Sequence, residues 1–257
     1  MQLVDSHCHL QFKKLSGDLA SVLDRAQAAG VKNIICVGTS LADSQEALDI
    51  AATHDNIWAS VGAHPHDGAD FAKQKDAAQI LNKLSKLDRV VAVGEIGLDY
   101  YHEHTDRALQ TSILRSQIEA TLERGLPYIF HVRDAFSDFW QIVDDYKIER
   151  AVVHSFTAGT KTLDKILQRG WYVGLNGIMT FTRDHAQLDA AKQVPLSNLL
   201  LETDAPFLTP APNRDEICEP RHVRTVAEFL ASLRNESLEE LAAATTANAA
   251  KLFGIQL

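Results

Sequence analysis

Short apolar runs alternate with stretches of helical periodicity along the whole chain. Eight runs predict buried strands, at residues 3–4, 31–37, 57–61, 90–93, 127–130, 151–153, 172–175 and 199–201. The run 31–37 is interpreted as continuous rather than alternating, which is typical of parallel strands that are covered on both faces. Between them, apolar residues at helical spacing predict helices near 16–29, 41–53, 77–87, 106–124, 136–143, 161–168, 185–193, 221–232 and 238–252.

This alternation predicts the α/β class. Strands separated by helices form right-handed crossovers in a parallel sheet, and eight such units predict a (β/α)8 TIM barrel. An open doubly wound sheet is the alternative. It is disfavoured because polar residues follow most of the strands, and only a closed ring lets all of them converge. We therefore expect a functional site at the C-terminal ends of the strands.

Length and composition bound the class further. A barrel of this kind commonly takes about 250 residues, so the 257 residues predict a single domain, 1–257. The net charge of −9 means that the surface as a whole should repel polyanions. A nucleic-acid substrate would then be held locally, by metal ions and a few cations.

Cysteine use and hydropathy predict the environment. Cys8, Cys36 and Cys218 form no C-x-x-C pair and leave an odd thiol, which favours a reducing cytoplasm over a disulfide framework. The start of the chain lacks the pattern of a signal peptide, and no apolar run approaches the roughly 20 residues of a membrane span. We expect a cytoplasmic protein without membrane contact, and a monomer is favoured.

Metal-binding residue types stand at the strand ends. His7 and His9 follow the first strand, where an alternating backbone directs both imidazoles to the same side. Glu95 lies between Gly94 and Gly97, and the missing side chains leave room for its carboxylate to bridge two ions. These residues predict a metal site with Glu95 near its middle.

Four further residues extend this set. His131 and His154 follow similar apolar runs on adjacent predicted strands, which favours metal ligation over two unrelated core histidines. Glu202 and Asp204 follow a fully apolar strand, where desolvating two acids costs several kcal/mol unless a cation or partner compensates. Asp204 is the candidate ligand and general base. Glu202 is either a further ligand or a partner of one.

Substrate-contacting candidates come from the neighbouring loops. His64 and His66 flank a proline after the third strand, and His64 is the better candidate to face substrate because it directly follows Gly62-Ala63. Arg133 suits a phosphate, with a salt bridge to Asp134 as the alternative. The remaining histidines in polar or helical contexts have no predicted role: His54, His102, His104 and His185.

Six motifs in order resemble the TatD family of metal-dependent deoxyribonucleases, within the amidohydrolase-like superfamily. They are DSHCH (5–9), GAHPH (62–66), GEIGLDY (94–100), HVRDA (131–135), HSF (154–156) and ETDAP (202–206). The resemblance implies two divalent metal ions (Mg, Mn or Zn), with Glu95 as a ligand of both. It assigns one ion to His7, His9, Glu95 and Asp204, and the other to Glu95, His131 and His154. It also implies 3′ to 5′ exonuclease action on single-stranded DNA.

One loop departs from the family pattern. Asp215-Glu216 stand where the family has Gly-Lys, and Cys218 stands where it has Asn. Two acids make this loop less favourable for a phosphate backbone, so hydrolysis of a small-molecule ester, lactone or phosphodiester on the same scaffold is the alternative function. A binding protein with a vestigial site would require a lost ligand, and every ligand position is filled.

Overall fold

The computed structural model describes residues 1–102 and 104–257 and confirms the predicted fold class. Its eight strands are β1 Leu3–Cys8, β2 Val31–Val37, β3 Ile57–Val61, β4 Val90–Asp99, β5 Tyr128–Arg133, β6 Ala151–Val153, β7 Tyr172–Leu175 and β8 Leu199–Leu201. They form one sheet whose order follows the chain from β1 to β8. The pairs β1–β2, β3–β4, β4–β5, β5–β6 and β7–β8 are parallel. With a helix in each connection, this is a (β/α)8 TIM barrel.

The α-helices of the described residues fill the connections. They are α1 Lys13–Ser16, α2 Leu19–Ala28, α3 Leu41–Ala52, α4 Gly68–Lys73, α5 Ala77–Leu84, α6 Arg107–Thr121, α7 Phe136–Val143, α8 Thr160–Gln168, α9 His185–Gln193, α10 Val223–Arg234 and α11 Leu238–Phe253. Short 3-10 turns lie at Pro65–Asp67, Leu122–Arg124, Gly177–Thr180, Leu196–Asn198 and Pro220–His222. Within the described residues, no helix combines the length and apolar character that a membrane span needs.

The chain divides into two compact units. The terminal unit comprises Met1–Cys36 and Ser155–Leu257, and the central unit comprises Val37–His154. The terminal unit contains β7, β8, β1 and nearly all of β2, and the central unit contains β3 to β6. The expectation of a single domain over 1–257 stays a prediction.

In the terminal unit, helix caps and one ion pair fix the connections. The Ser237 hydroxyl accepts the Glu240 N–H at 3.0 Å and begins α11, and Gly254 ends it with φ +67°. Arg25 donates two bonds to Glu219, at 2.8 and 3.0 Å, and so ties α2 to the turn before α10. Cys8, at the end of β1, forms a parallel bridge with Ala205 beyond β8, which brings these two strand ends together.

In the central unit, β4 is longer than predicted. The strand was expected to end at Val93, but its pairing with β5 continues through Gly97–His131 to Asp99–Arg133. Gly94 and Gly97 have φ of +154° and +153°, which only glycine adopts readily, and they let the strand continue where other residues would end it. Glu95 therefore lies inside a buried strand rather than in a turn.

Two helix predictions were also wrong in extent. The helix expected over 16–29 is α2 at Leu19–Ala28, which begins after Asp18 at φ −141°, and the short helix α1 at Lys13–Ser16 before it was not expected. The helix expected over 77–87 ends at Leu84. Neither change moves a candidate site residue.

Gly97 provides a test of this strand. A Cβ there would overlap the backbone carbonyl oxygen of His131, whereas a Cβ on Gly125, at φ +63°, would meet nothing within 4 Å. We expect Gly97→Ala to lower the free energy of unfolding by at least about 3 kcal/mol, because overlap adds to backbone strain. Gly125→Ala should cost about 1 kcal/mol, from backbone strain alone. Urea denaturation measures both, and equal losses would contradict the close packing.

Candidate metal centre

The terminal unit brings His7, His9 and Asp204 together. His7 is the second-to-last residue of β1, His9 directly follows the strand, and both are buried. The Asp204 N–H donates to the His7 carbonyl at 2.8 Å, and this bond positions the carboxylate. Asp204 Oδ1 then lies 3.5 Å from His7 Nε2 and 3.4 Å from His9 Nε2. Two imidazole nitrogens and one carboxylate oxygen at this spacing suit a divalent ion of the zinc or manganese type.

A buried acid supports this set from behind. The Asp5 carboxylate accepts Thr203 Oγ1 at 2.6 Å, the Thr203 N–H at 3.0 Å and the His7 N–H at 3.3 Å. Burial raises the pKa of Asp5 to about 8, against the lowering effect of these bonds. Asp5 thus joins β1 to the segment that carries Asp204. The motif containing Asp5 was recognised in the sequence, but the residue had no predicted role.

Glu202 is a buried acid of the terminal unit, with a carboxylate oxygen within 4.8 Å of a His7 ring nitrogen. Its Oε1 accepts the Ser155 N–H at 2.6 Å and the Asn176 side-chain amide at 3.4 Å. Gly174 leaves room for it, because a Cβ there would overlap the Glu202 carboxylate. These contacts favour a supporting role for Glu202. Asn176 was missed in the sequence, although it directly follows β7 in the same manner as the predicted residues follow their strands.

The central unit gathers three imidazoles around Glu95. Its Oε1 lies 2.6 Å from His154 Nε2, 3.0 Å from His131 Nδ1 and 3.4 Å from His64 Nε2. His131 Nδ1 and His154 Nε2 are themselves 3.2 Å apart. Two imidazole lone pairs repel at that distance unless a proton or a cation lies between them. Glu95, His131 and His154 therefore form a donor set that fits a divalent cation, and their role as metal ligands stays a prediction.

His64 has a defined tautomer. Its Nδ1 accepts the His66 N–H at 3.1 Å, so the neutral ring carries its proton on Nε2, facing Glu95. Burial lowers the pKa of His64 to about 4, more than the neighbouring Glu95 raises it. The ring is thus a neutral hydrogen-bond donor at neutral pH, which fits a contact to substrate.

Asp99 holds the opposite side of His131. Asp99 Oδ2 lies 3.0 Å from His131 Nε2, 2.9 Å from His66 Nε2 and 3.0 Å from His102 Nδ1. Burial alone would raise the pKa of Asp99, but these hydrogen bonds outweigh it and hold that pKa well below its usual range. Burial lowers the pKa of His131, and its bonds to Asp99 and Glu95 reverse the effect and raise it. Asp99 thereby fixes the His131 ring with Nδ1 towards Glu95.

Sequence reasoning missed Asp99 and treated His102 as lacking a role. The signal was alternation along β4: Glu95, Gly97 and Asp99 occupy every second position, so they share one face of the strand. Because the predicted strand ends at Val93, the alternation of Glu95, Gly97 and Asp99 is not evident from the prediction. His66, predicted to contact substrate, lies against Asp99.

Two buried glutamines of α6 hydrogen-bond to the backbone of the segments that carry His64 and His102. Gln117 Oε1 accepts the Ala63 N–H at 2.7 Å, and its Nε2 donates to the Ala63 carbonyl at 3.0 Å. Gln110 makes the same pair with Asp99, at 2.8 and 2.9 Å, and also donates to the Thr105 carbonyl. Each glutamine side chain thus bonds both the N–H and the carbonyl of one residue, as a neighbouring strand would. Both glutamines lay inside a correctly predicted helix, where nothing in the sequence distinguished them.

Arg133 stands at the end of β5. Its guanidinium carbon is 4.7 Å from the centre of the Tyr101 ring, which is 60% exposed. A stacked guanidinium of this kind keeps its donors at the ring edge, where they can reach a phosphate. Its predicted substrate contact stays a prediction, as does the sharing of Glu95 between two metal ions.

Histidine and carboxylate sets at the strand ends of a (β/α)8 barrel are characteristic of metal-dependent hydrolases. The model of the family described as TatD related DNase matches residues 4–254. The chain belongs to this family.

Similar proteins agree with this class. The chain is 39% identical over 260 residues to the uncharacterized metal-dependent hydrolase YcfH of Escherichia coli strain K12, covering 99% of this chain and 97% of that protein. It is 34% identical over 265 residues to the 3′-5′ ssDNA/RNA exonuclease TatD of Citrobacter rodentium, covering 99% of both. The crystal structure of YjjV, a TatD homologue of E. coli K12, superimposes with a TM-score of 0.92 at 30% identity, covering 99% of this chain and 98% of that one. The protein is a metal-dependent hydrolase.

The glutamine braces are testable through stability. We expect Gln117→Met to lower the free energy of unfolding by about 2–5 kcal/mol, because the buried Ala63 N–H and carbonyl each lose a partner. The exposed Gln79 on α5 provides a matched control, and Gln79→Met should change stability by less than about 0.5 kcal/mol. Urea denaturation gives both values, and a Gln117→Met protein as stable as the control would rule out the brace.

Proposed function

We propose that this chain hydrolyses phosphodiester bonds of single-stranded DNA as a 3′ to 5′ exonuclease, using two divalent metal ions (Mg, Mn or Zn). The observation that carries the proposal is the buried Glu95 carboxylate, faced by three imidazole nitrogens within 3.4 Å. Two relatives, from Citrobacter rodentium and Klebsiella pneumoniae, are named 3′-5′ ssDNA/RNA exonuclease, which supports this substrate class.

The proposed ligands follow the family resemblance. His7, His9, Glu95 and Asp204 hold one ion, and Glu95, His131 and His154 hold the other. Bound divalent ions supply an activated water and charge neutralisation at the phosphate. The chain fixes the directions of its donors: Asp99 orients His131, and the His7 carbonyl holds the backbone of Asp204.

Asp204 is the proposed general base. Its side chain is 15% exposed, whereas that of Glu95 is 4% exposed, so Asp204 is the more accessible to water of these two carboxylates. A carboxylate within reach of the attacking water accepts its proton. The His64 Nε2–H then donates to a phosphate oxygen as charge develops there. Arg133 contacts the adjacent phosphate, and Glu202 keeps its supporting position.

An exposed aromatic beside the His7–His9 set supports a nucleotide substrate. Phe207 is 46% exposed, and its ring centre lies 6.4 Å from that of His9 and 6.0 Å from that of Phe12. The ammonium of Lys14 is 6.0 Å from the Phe207 ring centre. A flat apolar ring with an adjacent cation suits a base stacked beside its phosphate.

The negative charge of the loop that contains Asp215 and Glu216 is partly offset by a neighbouring arginine. Glu216 pairs with Arg221 at 2.9 Å, and the guanidinium carbon of Arg214 lies 3.6 Å from the centre of the Phe181 ring. The ion pair with Arg221 therefore offsets part of the repulsion that Glu216 would exert on a phosphate. This weakens the one sequence argument for a small-molecule substrate.

Within the described residues, the buried thiols of Cys8, Cys36 and Cys218 form no disulfide, which also supports a proposed cytoplasmic location.

The activity test uses end-labelled single- and double-stranded oligonucleotides with Mg²⁺, Mn²⁺ or Zn²⁺. Wild type should shorten single strands from the 3′ end. Asp204→Asn should lower the rate by about 10²-fold or more, and Glu95→Ala should lose both bound metal and turnover. Asp189→Asn, at an exposed position of α9, is the control. An unaffected Asp204→Asn rate would refute the general base, and hydrolysis of small esters without any DNA cleavage would favour the small-molecule alternative.

Phe207 tests substrate recognition separately. Phe207→Ala should raise KM for a single-stranded oligonucleotide about 5- to 100-fold, since stacking one base contributes about 1–3 kcal/mol. Phe207→Ala should hydrolyse bis-p-nitrophenyl phosphate, which carries no base, at no less than half the wild-type rate. Phe207→Tyr should restore oligonucleotide binding, and Leu87→Ala, at another exposed apolar residue, should change neither substrate. Equal effects on both substrates would contradict stacking.

A further inference from the structure

A second cluster of metal-binding side chains lies on the central unit, outside the proposed ligand set. It consists of His66, Asp99 and His102, whose donor atoms all lie within 4.8 Å of one another. The imidazole of His104 is close by, with its ring centre 4.6 Å from that of His66. We call these residues the His66–Asp99–His102 cluster.

The cluster is held in place by its surroundings. Asp99 is fully buried, and its Oδ1 accepts the N–H groups of Tyr101 and His102, both at 2.9 Å. Gln110 fixes the Asp99 peptide. The side chains of His66 and His102 are 30% and 44% exposed, so an ion and its water ligands can enter from solvent.

Donor geometry favours a cation over hydrogen bonds alone. The nitrogens of His66, His102 and His131 all lie within 3.0 Å of one atom, Asp99 Oδ2. A carboxylate oxygen has two lone-pair directions, so three N–H donors overfill it. A cation bound by Oδ2 and by the lone pairs of His66 and His102 replaces two of those donors and leaves one hydrogen bond, from His131.

The distances suit an ion of the zinc type. Asp99 Oδ2 lies 2.9 Å from His66 Nε2 and 3.0 Å from His102 Nδ1. Donors that each bind Zn²⁺ at about 2.0–2.1 Å are separated by about 3 Å in neighbouring positions. Imidazole donors select zinc-type ions over Mg²⁺, which prefers oxygen ligands and keeps its waters.

We propose that His66, Asp99 and His102 form an additional binding site for a zinc-type divalent cation, with His104 or water as its fourth ligand. The site is separate from the ligands of the proposed function, and it does not depend on the substrate of the enzyme. The two sets share no ligand, and the hydrogen bond between Asp99 and His131 links them.

Zinc stoichiometry tests the site on the full-length protein. Wild type, His102→Asn and the control His185→Asn are dialysed against buffered micromolar free Zn²⁺, and bound zinc per chain is measured by elemental mass spectrometry. His185 is exposed at the start of α9 in the terminal unit. We expect wild type and His185→Asn to bind one more zinc ion per chain than His102→Asn. The same dialysis against Mg²⁺ should show no difference.

Thermal denaturation separates site loss from misfolding. Without zinc, wild type and His102→Asn should unfold at the same temperature. Added zinc should raise the unfolding temperature of the wild type more than that of His102→Asn. Equal zinc content in wild type and His102→Asn would overturn the proposal. So would the same loss of zinc in His185→Asn, or a difference that emerges only above millimolar zinc.

Discussion

The structure depends on the electrostatic requirement of one buried carboxylate. Glu95 lies inside a strand with 4% of its side chain exposed, where an ionised acid is strongly disfavoured unless opposite charge or hydrogen-bond donors surround it. Three imidazoles meet that requirement in the central unit, one from β5 and one each from the segments after β3 and β6. Their convergence on one oxygen is costly without a cation or shared protons, so the donor set fits a cation.

The histidines that face Glu95 need hydrogen-bond partners of their own. His131 presents Nδ1 to Glu95, so its Nε2 needs a separate partner, and Asp99 is that partner. Asp99 is itself buried, so it needs its own donors, which come from the following backbone and from His66 and His102. Gly97 lies between the two acids on β4, where a side chain would overlap β5. One strand thus carries an acid, a glycine and an acid at alternate positions, each with a separate physical reason.

Much of this was predictable from the sequence, because strands and metal ligands have strong local signals. Apolar runs located all eight strands, and the residues at their ends identified His7, His9, Glu95, His131, His154 and Asp204 as candidates. The length of β4 was not predictable, since glycines at Gly94 and Gly97 normally indicate a turn, and the pairing with β5 that overrides them is a long-range effect. Gln110, Gln117 and Asn176 were missed for a related reason. An amide becomes informative only when the backbone it satisfies is known.

The two glutamines of α6 also have a dynamic consequence. Each replaces a strand partner for one peptide unit, of Ala63 in one loop and of Asp99 in the other, and they lie seven residues apart on one helix face. Opening of α6 would break both sets of bonds in a single event. The His64 loop and the Asp99 segment therefore belong to one cooperative unfolding unit, whose amide protons should exchange with the same opening free energy. The rigidity of this half of the donor set is then governed by the stability of a helix that contributes no ligand.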